Sequence, residues 1–233
     1  MKRFYRSVGV RPFDGTFAVT LDDRPIKTPA GETLTLRSGA LADAIAAEWS
    51  GQGDQIDQRA MPLTGLANTA IDHVTRDRDA TLGQAETFAR HDLVCYRAAE
   101  PAVLADLEAA AWNAPLQWAR TQYALELKVT TGVGSIDQPA VSFASIAQAL
   151  ARFDAFALTG VVAAAGTMKS LVLALSLADG RLDAVAAHAA AHVDELFQAE
   201  KWGLDYEAED RMKTLLRELQ DAERFLRLSS PSP

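Results

Sequence analysis

Apolar residues alternate in the candidate strands before Ser38, and from Leu41 they recur every three or four residues almost to the end of the chain. That switch of period constrains the fold more than any motif does. Alternation buries one face of a strand, and three-or-four spacing buries one stripe of a helix. The sequence therefore predicts an α+β protein: a small β-rich N-terminal domain over 1–60 with one covering helix, a larger, mostly α-helical domain over 61–228, and a disordered tail over 229–233.

In the first part, Phe17-Ala18-Val19-Thr20-Leu21 alternates and carries β-formers. Asp22-Asp23-Arg24-Pro25 supplies turn chemistry, and Ile26-Lys27-Thr28 can return as a partner strand. Phe4 to Val10 and Thr33 to Leu36 are further strand candidates, which together suggest a mostly antiparallel sheet. Ser38 is a good N-cap for a helix whose stripe is Leu41, Ile45 and Trp49, ended by Gly51 and Gly53. That helix is expected to cover the sheet, with Trp49 supporting the packing.

Beyond Met61 the pattern marks Leu63, Leu66, Ala70 and Val74 as one helix, and 102–123 as a long one kinked at Pro115. Further helices are expected over 142–152, 153–165, 170–178 and 182–202, with Gly180 as a C-terminal cap. A last helix steps through Leu204, Ala208, Met212, Leu215, Leu219, Ala222 and Leu226. The segment Ser229-Ser230-Pro231-Ser232-Pro233 has the composition of a disordered tail.

Charge excludes some partners. The net charge is −8, and no Lys/Arg cluster offers the basic face that phosphate backbones or anionic membranes require. Cys95 is the sole cysteine, so no internal disulfide can form; within Leu93-Val94-Cys95-Tyr96 it reads as a small buried hydrophobe. No stretch reaches the roughly 20 apolar residues of a membrane span. Met1-Lys2-Arg3-Phe4-Tyr5 lacks a signal or transit pattern, so a cytosolic or already mature chain is expected.

The chemical motifs are incomplete. His188 and His192 share a helix face at i, i+4, but the glutamate of a His-Glu-x-x-His zinc site is missing and no third His or Cys lies near in sequence. Gly166-Thr167-Met168-Lys169-Ser170 lacks the spacing of a phosphate loop. Gly132-Val133-Gly134-Ser135 lacks the full dinucleotide fingerprint. The adjacent pairs Asp72-His73 and His91-Asp92 would diverge on a helix and read as surface polarity or capping. No catalytic residue, metal or cofactor is expected.

One stretch concentrates charge. Between Asp183 and Asp210 lie eight acidic residues against one base, Lys201, which nearly accounts for the net excess. Beside Phe197 and Trp202, such a patch could dock a basic or apolar surface. From charge alone a solvated helix face is the competing reading.

The same residues carry a family resemblance. The run 193–205, Val-Asp-Glu-Leu-Phe-Gln-Ala-Glu-Lys-Trp-Gly-Leu-Asp, resembles the C-terminal signature of the ATP12 family of assembly chaperones. Earlier blocks resemble it in order: Lys2-Arg3-Phe4-Tyr5, Leu21-Asp22-Asp23-Arg24-Pro25, Ala46-Ala47-Glu48-Trp49, Met61-Pro62-Leu63-Thr64, Asp92-Leu93-Val94-Cys95-Tyr96-Arg97 and Trp112-Asn113-Ala114-Pro115. Asn113, Ala114, Lys169 and Phe197 depart from the family pattern.

The resemblance implies a non-enzymatic chaperone that transiently binds the unassembled α subunit of the F1 sector of ATP synthase. It would cover apolar surface on α until β replaces it. A monomer is expected. The alanine-rich helices and the Met1-Lys2-Arg3-Phe4-Tyr5 start suggest a bacterial protein acting in the cytoplasm, the other possibility being a processed protein of the mitochondrial matrix. On this analogy the partner-binding residues are Asp194, Glu195, Gln198, Trp202 and Gly203. The rival reading is a small-molecule enzyme with a site between the two domains, using His91, Asp92 or the two histidines near Asp194.

Overall fold

A computed structural model describes residues 1–132, 134–203 and 205–229. It has the expected α+β architecture: a small N-terminal sheet followed by helices. Strands β1 (Val8–Phe13), β2 (Thr16–Leu21), β3 (Arg24–Pro25) and β4 (Thr35–Leu36) form an antiparallel sheet in which β1 flanks β2 on one side. On the other side β3 pairs with Thr20 and Leu21, and β4 with Phe17 and Ala18.

Two tight turns set the register. Asp14-Gly15 joins β1 to β2 and Asp22-Asp23 joins β2 to β3, with positive φ at all four residues. Positive φ at both central positions matches the right-handed twist of the strands a two-residue hairpin joins. The Asp22 carboxylate accepts the amides of Arg6 and Ser7 at 3.0 and 2.9 Å, and these bonds hold its pKa below the usual carboxylate range. Its backbone strain is thus offset by local hydrogen bonds. The returning strand β3 starts at Arg24, two residues earlier than expected, and Phe4 precedes β1.

Helix α1 (Gly39–Ser50) begins at Ser38, whose Oγ accepts from Leu41 N at 3.3 Å. Its buried stripe of Leu41, Ile45 and Trp49 joins Val19, Leu21, Leu34 and Leu36 in one core. Tyr5 reinforces that core by donating its hydroxyl to Trp49 O at 2.6 Å. Helix α2 (Pro62–Thr69) has no side-chain cap of its own. Glu48 of α1 supplies one, accepting from Leu63 N at 2.7 Å, Thr64 N at 2.8 Å and Thr64 Oγ1 at 2.6 Å. A π-turn (Ala70–Val74) continues α2.

The helices that follow are α3 (Arg78–Arg90), α4 (Ala102–Tyr123), α5 (Ala140–Leu150), α6 (Ala155–Met168), α7 (Leu171–Ala178), α8 (Ala184–Ala191), α9 (Val193–Trp202) and α10 (Tyr206–Ser229). The sequence pattern did not mark α3, because only Ala85 and Ala89 of it are buried. A helix apolar all round can only be a core element. That describes α7, buried from Leu171 through Leu177. A short parallel pair, β5 (Tyr96–Arg97) with β6 (Thr130–Thr131), was also unforeseen.

Two expectations need correction. The helix over 182–202 is two helices: His192, at φ −123° and ψ 31°, leaves helical geometry and separates α8 from α9. Ser229 is no part of a free tail, since it ends α10, is buried, and donates its hydroxyl to Phe225 O at 2.6 Å. Leu204 and residues 230–233 lie outside the described residues.

The chain divides differently from a cut after residue 60. Among the described residues, one compact unit comprises 1–78, 153–160 and 224–229; the other comprises the described residues of 79–152 and 161–223. The division passes through α6 and α10, whose residues belong partly to each unit. Among the described residues no helix is long and apolar enough to cross a membrane.

Candidate functional site

Helix α9 carries the residues that the sequence singled out, and local chemistry explains its limits. Asp194 and Glu195 occupy its first turn and Lys201 its last, each opposite the matching end of the helix dipole. At the C-terminus Gly203, with φ +78°, turns the chain away and donates its amide to Ala199 O at 2.8 Å. Lys201 lies 4.2 Å from the centre of the Phe197 ring, a cation–π contact that ties down the last turn.

The two sides of α9 differ in character. His192, Asp194, Glu195 and Gln198 face a polar cavity of about 740 Å³ that Trp112, Lys169, Arg211 and Glu218 also line. Val193, Leu196, Phe197 and Glu200 face an apolar groove of about 660 Å³ formed with Leu107, Ala111 and Pro115 of α4 and Ala186 of α8. The spacing of three and four residues within each set is what one face of a helix permits.

Electrostatics in the polar cavity are unbalanced. Glu108 of α4 is buried and accepts from Ala98 N at 2.8 Å. Burial raises its pKa, and the nearby Asp194 carboxyl raises it further. Oδ1 of Asp194 is buried and receives no hydrogen bond from a described donor group, the Glu108 carboxyl being close enough to share a proton with the Asp194 side chain. His192 is 6% exposed; its Nδ1 lies 3.5 Å from Glu195 Oε1, which holds Glu195 below the usual carboxylate range, and its Nε2 has no hydrogen-bond partner among the described residues. His188 is fixed by Met212 O at 3.1 Å from Nε2, and burial and then the neighbouring His192 lower its pKa. Beneath, Trp112 donates Nε1–H to Ala190 O at 2.6 Å, with the Arg97 guanidinium 4.9 Å from its ring.

Of the five residues expected to meet a partner, the fold brings Asp194, Glu195 and Gln198 to this cavity. Trp202 and Gly203 stand apart at the end of α9, with Trp202 77% exposed. The acidic stretch is not one continuous face. Asp183 and Asp205 are spent on capping, accepting from Ala186 N at 2.7 Å and Ala208 N at 2.8 Å. Glu209 pairs with Lys213 at 2.6 Å.

Other sequence candidates resolve into structural roles. The rings of His188 and His192 are 4.6 Å apart, and among the described residues no three potential ligands converge on a metal site. Lys169, at φ +55°, links α6 to α7, whose N-cap is Ser170. Asp72 is buried, not surface polarity: it accepts from Thr28 Oγ1 at 2.6 Å and Ala30 N at 2.9 Å. Asp92 is wholly buried and caps, accepting from Val94 N at 3.3 Å and Val172 N at 3.0 Å. Cys95 is buried, as expected of a small hydrophobe, and burial pushes its thiol up to about 12. Sequence reasoning missed Glu108, which shares an alanine-rich helix with Asp106 and carries no local sign of its burial.

A family model described as ATP12 chaperone protein matches residues 2–120. The chain belongs to the ATP12 chaperone family. The crystal structure of ATP12 from Paracoccus denitrificans superposes with a TM-score of 0.92, at 39% identity over 98% of both chains. An aspartate-to-lysine mutant of the Paracoccus protein gives the same values. A protein from Agrobacterium tumefaciens is 35% identical with a TM-score of 0.93, covering 98% of this chain and 86% of that one. An ATP12-family chaperone acts on another protein, so surfaces rather than reacting atoms are the features to interpret.

Proposed function

We propose that this ATP12-family chaperone binds the unassembled α subunit of F1 ATP synthase and holds it until β takes its place, with α9 as the recognition element. The observation that carries the reading is the two-sided character of α9. A subunit awaiting assembly exposes apolar surface together with the charged groups that rim it. A helix offering carboxylates on one side and an apolar groove on the other suits such a surface. Leu107 and Leu196, more than 40% exposed, leave that groove open to solvent.

Asp194, Glu195 and Gln198 are assigned to polar recognition, and exposed Trp202, followed by the turn at Gly203, to the margin of the contact. In a bacterial cell the capture takes place in the cytoplasm.

The test is co-expression with α alone. Wild type is expected to keep α soluble and to co-purify with it. Asp194→Lys is expected to lower recovery of α roughly tenfold or more, because it places a cation against any basic group the carboxylate would meet. Normal capture of α by a well-folded Asp194→Lys chain would refute the assignment of α9.

A further inference from the structure

The polar cavity beside α9 has a surplus of acceptors that no described residue satisfies. Nε2 of His192 and Oδ1 of Asp194 are buried and receive no hydrogen bond from a described donor group, although the Asp194 carboxylate lies within hydrogen-bonding reach of the Glu108 carboxyl. Glu195, already stabilised as a carboxylate by His192 and Arg211, and Glu218 add two more carboxylates to the lining, and among the described residues Glu218 meets a single long contact of 3.4 Å from Thr167 Oγ1. Lys169 and Arg211 also line the cavity, but both side chains are exposed, whereas the unpartnered atoms lie deeper. A buried polar atom left unpaired is costly, so a site of this kind is built to be completed.

What would complete it must be rich in donors, cationic and planar. A carboxylate ligand would add acceptors where acceptors are already in excess. An ammonium offers three donors from one point and cannot reach groups spread along one helix face. A guanidinium has five N–H donors in a rigid fork and no acceptor, and pairs bidentately with carboxylates. At about 740 Å³ the cavity admits such a side chain with water around it.

We propose that the cavity takes the guanidinium of an arginine side chain presented by the bound client, with Asp194 and Glu195 accepting from its fork and His192 Nε2 from a further N–H. This rests on the reading of α9 as the client-binding element. It makes the cavity a specificity pocket: the apolar groove fits many exposed surfaces, and the arginine selects among them.

The probe is N-acetyl-arginine amide, titrated into the full chain and followed by amide and indole NMR shifts. N-acetyl-citrulline amide, equal in shape and uncharged, is the control. Saturable shifts are expected at Trp112 Nε1–H, His192 and Gln198 with the arginine compound and not with citrulline. Asp194→Asn, whose spectrum also reports its fold, is expected to weaken the binding roughly tenfold, as loss of a charge-assisted pair does. Absence of saturable shifts, or equal shifts from citrulline, overturns the arginine assignment. If α capture is then still lost in Asp194→Asn, the α9 reading survives that failure. Arginine binding with undiminished α capture by Asp194→Asn overturns the client's use of the pocket instead.

Discussion

Asp92 allows a sharp test of how burial and hydrogen bonding compete in this fold. Its carboxyl sits between two N-termini, the 3₁₀ turn Leu93–Cys95 and α7, and is fully buried. Burial pushes its pKa up to about 6, against hydrogen bonds from Ser170, Val172, Val94 and Leu171 that pull it down. The unfolded value is about 3.9. A folded pKa above the unfolded one means that this group's contribution is fully present below about pH 3.9 and is lost as pH rises through about 6. At about 1.4 kcal/mol per unit, the full loss is roughly 3 kcal/mol, of which ~2 kcal/mol falls between about pH 4 and pH 7.5.

Asp92→Asn keeps the shape and removes the titration. One N–H or O–H of the site then faces an amide NH₂, which costs about 1–3 kcal/mol at any pH. The difference between variant and wild type cancels every other carboxylate. Urea unfolding of both proteins at about pH 4 and pH 7.5 should show the variant gaining ~2 kcal/mol on wild type at the higher pH. A difference that does not change with pH, or that moves in favour of wild type as pH rises, refutes the reasoning; the second result would mean that the hydrogen bonds outweigh burial.

Glu48→Ala removes the only side-chain acceptor at the start of α2 among the described residues and should destabilise the chain by about 1–3 kcal/mol in urea unfolding, with Glu48→Gln intermediate. Gly160→Ala would put a Cβ 2.7 Å from Leu226 Cγ. The overpacking cost of ~1–3 kcal/mol should outweigh the ~1 kcal/mol gained in helix propensity, and Leu226→Ala in the same chain should relieve it, both read from thermal midpoints. Asp194→Lys should fold normally by circular dichroism yet lose α in the co-expression assay.

Much of the frame was legible in the sequence because it depends on near neighbours. Ser38 caps α1, and the limits of α4 at Ala102 and Tyr123 agree with the apolar period. Helix α3 escaped notice because small alanines bury it, without the large residues that make a stripe visible. The site was legible only in part. The letters of Asp194, Glu195 and Gln198 mark one helix face, but not what that face looks into. Glu108, eighty-odd residues earlier, completes the electrostatics, and no local pattern announces a buried glutamate.

By itself the sequence determined the switch from period two to period 3.6, the turn at Asp22-Asp23, and the ordered blocks that place the chain in its family. These follow from backbone sterics and from burial of one face, which neighbours within four residues suffice to specify. Tertiary structure decided that Glu48 caps a helix fourteen residues on, and that Asp92 spans two helix ends. It also decided that the chain breaks at His192, where an unbroken helix was expected. Each of these turns on which distant groups share a water-poor interior, where an unpaired charge or amide costs as much as a whole turn of helix can gain.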